Sequence, residues 1–269
     1  MKKIVLLLAS TLMLFATSSF AKDISAYLIG EHTGVETVKN RLARAGFEVI
    51  AEYKSVEEGT TIVFTNDALK AEAAKPKRAN AAVLRIFVDD KDKMVSITNP
   101  VYFGRAFMQD DYNSDVFEAQ LSAINGVFKG LTGSKDKLED DDIAGFHFMM
   151  GMPYYEDEDE LAEASNSELL TKLRAYNGGK NIVFELKLSE TSTLVGYEIG
   201  AETKGFIKDI GRANASVLPY CISVEDGVAT ALAAKYYLAI SYPLLSMGEF
   251  MTISSVPGEI NDDLSKPFK

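Results

Sequence analysis

The chain has 269 residues, 47% of them hydrophobic, a formal net charge of −11 and one cysteine. An acidic chain repels phosphate backbones and anionic lipid, which argues against nucleic acid as a partner. Cys221 alone cannot form an intrachain disulfide, so stability must come from apolar burial.

Residues 1–21 read as an export signal. Lys2 and Lys3 form a positive start, Ile4 to Phe15 an apolar core too short to span a bilayer comfortably, and Ser19-Phe20-Ala21 a small-residue cleavage site. Cleavage after Ala21 implies a periplasmic or secreted protein. The leader carries two lysines and no acid, so its removal shifts the charge from −11 to −13. No later stretch has the length and apolarity of a membrane helix, so stable membrane insertion is not expected.

After the leader, a strand is expected near Ile24–Gly30, then a helix over Val35–Ala45 closed by Gly46 as a left-handed cap. Strands follow at Phe47–Tyr53 and Thr61–Thr65, and an alanine-rich helix at Ala68–Ala74 is stopped by Pro76. Ala82–Val88 and Met94–Thr98 form a hairpin around the acidic turn DDKDK, and Asn99-Pro100 starts a helix. Ser114 to Leu131 spaces Val116, Phe117, Leu121, Ile124 and Phe128 at helical intervals. The charged run GSKDKLEDDD (133–142) reads as a linker. Beyond it, strands are expected near Gly145–Met152, Asn181–Leu188, Thr193–Tyr197, Ser216–Ile222 and Val228–Leu232.

The two series of elements share an order, and their sequences overlap. RANAAVL (78–84) and RANASVL (212–218) agree at six of seven positions, 134 residues apart. The register continues without a gap, pairing Asp92 with Asp226 and Tyr102 with Tyr236. The expected fold class is therefore α+β, two tandem copies (22–132 and 143–269) of a helix-on-antiparallel-sheet sandwich. A duplicated chain would pair its copies as a homodimer pairs its subunits, giving a monomer with first strands or hairpins packed together.

The run of a helix followed by GFEVIAEY, TTIVFTND and AAVLRIFVDDKDKMVSITNP resembles the DUF302 family over residues 33–130. That resemblance implies a helix–strand opening and a closing hairpin followed by a proline-started helix. It implies no established reaction. The second copy departs from the pattern with Pro219 in its hairpin and Ala233-Ala234 in place of Asn99-Pro100.

Chemistry-bearing residues are few. GFHFMMGMPYY (145–155) brings His147, Met149, Met150 and Met152 within six residues, and thioether and imidazole donors suit Cu(I). The expected reading is a core strand with Phe146, Phe148, Met150 and Met152 on one face, and copper binding is the alternative. The repeated Arg78, Asn80, Arg212 and Asn214 are candidates for anion binding between the copies, against a structural role at a turn into a strand. Tyr102 and Tyr236 fall on helices that either line a ligand pocket or pack as core. The acids Glu156 to Glu160 read as a solvated helix start, and Cys221 as a buried, inert thiol. No catalytic set can be assembled from His32 and His147. The expected function is a non-catalytic binding or accessory protein with no cofactor, taking a small molecule or a periplasmic protein as partner.

Overall fold

The computed structural model describes residues 22–269, so the expected leader lies outside the described residues. The first half runs β1 (Asp23–Ser25), β2 (Tyr27–Glu31), α1 (Val35–Arg44), β3 (Glu48–Val56), β4 (Gly59–Thr65), α2 (Asp67–Ala73), β5 (Leu84–Asp89), β6 (Met94–Thr98), α3 (Pro100–Met108) and α4 (Ser114–Val127). Short strands β7 (Thr132–Gly133) and β8 (Lys137–Glu139) follow. The second half runs β9 (Asp159–Glu163), α5 (Asn166–Ala175), β10 (Ile182–Lys187), β11 (Ser192–Tyr197), α6 (Ile207–Ile210), β12 (Tyr220–Glu225), β13 (Val228–Ala231), α7 (Ala234–Ser241), α8 (Met247–Thr252) and α9 (Val256–Ser265). The fold is α+β.

Local sequence explains several boundaries. Gly46 follows α1 with φ +82°, a conformation that disfavours a side chain. Asn66 caps α2 by accepting from the Leu69 amide, and Asn99 caps α3 by accepting from the Val101 amide, with Pro100 in the first turn. Ser165 caps α5 through the Glu168 amide.

Of three sheets, one has the order β3-β4-β5-β6-β2-β7, one β10-β11-β12-β13-β9, and the smallest pairs β1 with β8. All pairings are antiparallel. Each half thus lays its first long strand beside the second strand of its hairpin. Every residue of β4 and β5 is buried. An antiparallel strand can be buried throughout only if both faces of its sheet are covered. Helix α1 covers part of one face, packing on β3 and β4. The other face meets a short 3₁₀ turn of the second half, Arg212–Val217. The matching turn of the first half, Ala79–Ala82, lies against β11 and β12. Each half therefore covers the other's sheet with its copy of the Arg-Ala-Asn segment.

Period-two alternation fixes which side chains reach this seam. On β5, Arg85 and Asp89 bond to the second half, whereas Leu84, Ile86 and Val88 alternate to the opposite face. Thr61 on β4 donates to the Ala215 carbonyl at 3.3 Å. The helices after the hairpins close the seam reciprocally. Tyr102 on α3 donates to the Ile240 carbonyl at 2.8 Å, and Tyr236 on α7 to the Ala106 carbonyl at 3.2 Å. Both donors and both acceptors sit at the 134-residue register of the sequence repeat.

Four expectations need correction. Gly145–Met152 is not a strand but a series of turns and bends, with Gly151 at φ +84° and Pro153 following. The edge strand is instead β9, paired with β13. The acids Glu156 to Glu160 start no helix; the run enters β9, where an edge tolerates charge. The expected linker is tied down by strand pairing, Thr132 opposite Ile29 and Lys137 opposite Ser25. Finally, the Ser216–Ile222 strand begins only at Tyr220, because the residues before it form the 3₁₀ turn on the other half's sheet.

Tyr102→Phe and Tyr236→Phe should each leave a buried carbonyl without its donor, at a cost of about 1–2 kcal/mol. Urea titration should give similar losses for the two variants and a single transition for the protein. Two separated transitions would show that the halves unfold independently.

Candidate functional site

Three places hold groups capable of chemistry: the seam, the methionine-rich turns and one histidine pair. The seam contains most of the residues that the repeat singles out. Asp89, 0% exposed, takes both Arg212 Nε contacts, at 2.9 and 3.0 Å, and also accepts from the Lys91 and Asp92 amides. Arg78 instead bonds Asp111 at 3.0 Å and Glu156 at 2.9 Å, and lies 5.5 Å from the centre of the Tyr155 ring. Both repeated arginines are thus engaged by carboxylates of this chain. Asn80 is buried in its 3₁₀ turn. Asn214 occupies the matching turn, and its side chain lies outside the described atoms.

Tyr102 and Tyr236 are fully buried. Tyr155 fills the space against Phe107 and Tyr236, with ring centres 6.0 and 5.9 Å apart, while its hydroxyl donates to the Lys77 carbonyl at 2.6 Å. The cavity that remains in the seam measures about 10 Å³ and is lined by Asn80, Arg85, Phe107, Tyr220, Cys221, Leu232 and Tyr237. Arg85 is 4% exposed; its Nη2 donates to the Pro219 carbonyl at 3.2 Å and to Cys221 Sγ at 3.1 Å. Burial pushes the Cys221 thiol up, only partly offset by Arg85, and pushes the Tyr237 phenol up to about 12. The cysteine is therefore buried as a thiol. Its contact with a buried arginine was not read from the sequence, because Arg85 and Cys221 are 136 residues apart and only the fold brings them together.

The methionine-rich turns lie on the outside. Met150 is 94% exposed, and Met149 is also exposed, whereas His147 and Met152 are half-buried. The expected core face is thus overturned for Met150. His147 stacks beside Tyr154, and Phe148 stacks on Phe250 of α8 with centres 5.0 Å apart. Met247 and Met251, one turn apart on α8, are both exposed. Among the described residues, four of the six exposed large hydrophobic side chains are these methionines; Tyr154 and Leu244 are the other two. Position in the chain hid this arrangement, since the two methionine groups are a hundred residues apart.

His32 Nε2 lies 2.9 Å from Asp90 Oδ1 beside an opening of about 290 Å³ that also includes Arg41. Thr33 Oγ1, next to His32 in the chain, donates to the Glu31 carbonyl and accepts from Arg41. A surface groove of about 620 Å³ is open and lined chiefly by charged residues such as Asp262, Asp263 and Lys266, and one of about 500 Å³ shares Asp262 with it. Asp263 is itself tied to Lys266, Thr203 and the Gly200 amide. Among the described residues, no three His, Cys, Asp or Glu side chains converge as a metal site, and no helix is long and apolar enough to cross a membrane.

Two outcomes follow from this geometry. Arg212→Ala should cost on the order of 3 kcal/mol, because it strands a fully buried carboxylate. Arg78→Ala, whose partners are about half exposed, should cost about 1 kcal/mol or less. Equal losses in chemical denaturation would contradict the assigned burial. The second outcome concerns Glu158, whose carboxyl is pushed up by burial. A raised pKa means that the folded state favours the protonated form. That stability is full below the ordinary carboxylate range and is lost as pH rises through the raised value. Glu158→Gln should therefore melt above the wild type at pH 7, and the two should converge at pH 3.

No protein-family model, curated protein or solved structure matches this chain.

Proposed function

We propose that this is an exported, non-catalytic binding or accessory protein, built from two copies of one DUF302-like unit, that meets a protein partner through its methionine-faced surface. One observation carries the reading. The large exposed hydrophobic side chains are mainly the thioethers of the turns around Met149 and Met150 and of helix α8, joined by the Phe148–Phe250 stack. Methionine is flexible and polarisable, and it serves binding surfaces that must adapt to a partner. Export rests on the leader sequence, and the family likeness rests on residues 33–130. The duplication is supported by the repeat, the shared strand order and the reciprocal tyrosine bonds.

A second reading has its own support. The same exposed thioethers, with His147 in the adjoining turn, are soft donors suited to Cu(I). Substitution by leucine separates the two, since it keeps the apolar surface and removes sulfur. Under the protein-partner reading, Met149→Leu/Met150→Leu/Met247→Leu/Met251→Leu retains cross-linking to a periplasmic partner, and Met150→Glu/Met251→Glu abolishes it. Under the copper reading, native mass spectrometry shows one Ag(I) or Cu(I) on the wild type and none on the leucine variant. No partner and no metal in either assay would remove both readings.

A further inference from the structure

The seam buries one charge that the chain does not neutralise. Arg85 is 4% exposed, and a guanidinium does not give up its proton in a protein. Its described partners are the Pro219 carbonyl and Cys221 Sγ, both reached by Nη2, and its buried Nε has no partner. No carboxylate pairs with it among the described residues. This differs from Arg212, whose buried partner Asp89 supplies the opposite charge. The titratable groups that act on Arg85, after its own burial, are Tyr237, Cys221 and Tyr27, and burial favours the neutral form of each. An isolated buried cation is strongly unfavourable unless an opposite charge accompanies it.

The surroundings are built for something small. Arg85, Asn80 and Cys221 share the cavity of about 10 Å³ with the rings of Phe107, Tyr220 and Tyr237. That volume holds about one water-sized body and no organic ligand. The position is also asymmetric in an informative way. Arg85 donates to the carbonyl of Pro219, the residue 134 places further along the chain. The repeat therefore sets one arginine where its counterpart is proline, so this position brings one cation to the seam rather than two.

We propose that Arg85 holds a single halide-sized monovalent anion in the seam cavity, with the Nε–H as donor and the neighbouring aromatic rings excluding water. The sequence offered Arg78 and Arg212 as candidates for an anion between the halves, against a structural role at a turn; the structure assigns that part to Arg85, a buried arginine with no carboxylate partner among the described residues. The anion then acts as a structural ligand that joins the halves, and chloride is the abundant candidate.

The test uses the whole protein, refolded from urea into sodium bromide and crystallised there. A single anomalous bromine peak within hydrogen-bonding reach of Arg85 Nε is the expected result. Alongside it, unfolding is measured across sodium bromide and sodium gluconate series at constant ionic strength. For one site above its dissociation constant, the folding equilibrium constant should rise tenfold for each tenfold rise in bromide. Arg85→Met should show no such dependence. The wild-type crystal and salt series stand by themselves if that variant does not fold. Absence of the peak, or the same stability in bromide and gluconate, would overturn the proposal and leave Arg85 compensated by dipoles alone.

Discussion

The constraint on which the rest of this structure depends is the burial of its central strands on both faces. Strands β4, β5 and most of β12 have no solvent-exposed side. A helix-on-sheet half can cover only one face by itself, so the other must be covered from elsewhere in the chain. The covering element is a four- to six-residue 3₁₀ turn from the opposite half, reinforced by a helix that follows the hairpin. Once this exchange exists, every polar side chain on the covered face needs a partner across the seam. Thr61, Asp89, Tyr102 and Tyr236 all find one. Hydrogen bonds across an apolar seam add little net energy each, but they set its register, because a mismatch strands several buried groups together.

This economy has a consequence for function. The residues that recur in both halves are the ones a sequence reader would assign to a duplicated ligand site, yet they are consumed in holding the halves together. What is left for function is the part of the molecule that does not recur. The turns at 145–155, helix α8, Arg85 and Cys221 have no matching residue type at the 134-residue offset, or fall outside the repeat. Two halves of one chain can differ position by position, whereas a homodimer presents every residue twice. A single buried arginine at the seam is such a difference. Two of them, facing each other across a low-dielectric boundary, would repel.

The outer surface follows a different logic. Tyr155, deep among Phe107 and Tyr236, anchors the C-terminal end of the methionine-rich turns, and the Phe148–Phe250 stack holds their middle to α8. The turns are thus fixed at two aromatic points while the thioethers between them face solvent. An apolar surface with rigid anchors and flexible tips suits recognition better than catalysis, which requires converging polar groups.

Much of the fold was legible in the chain because its signals are local. Gly46 after α1, the Asn99-Pro100 start of α3, and the helical spacing of Phe117, Ile124 and Phe128 each act within a few residues. The acidic turn DDKDK placed the β5–β6 hairpin for the same reason, whereas 145–152 was read by alternation. The 145–152 stretch failed that reading because its apolar residues alternate by chance while Gly151 and Pro153 turn the chain, and because a strand needs a neighbour that periodicity cannot supply. β9 was missed because an edge strand carrying Asp159, Glu160 and Glu163 looks like a solvated surface.

The candidate residues divide in the same way. The sequence by itself determined the repeat, the order of elements in the first half, the acidic character and the impossibility of an intrachain disulfide, since these depend on composition and short-range pattern. Only the tertiary structure decided that Arg212 meets a buried carboxylate, that Arg85 meets none among the described residues, and that Phe148 of the methionine-rich turns stacks on Phe250 of helix α8. Those facts depend on which side chains are brought together across more than a hundred residues, and on how much water is excluded where they meet.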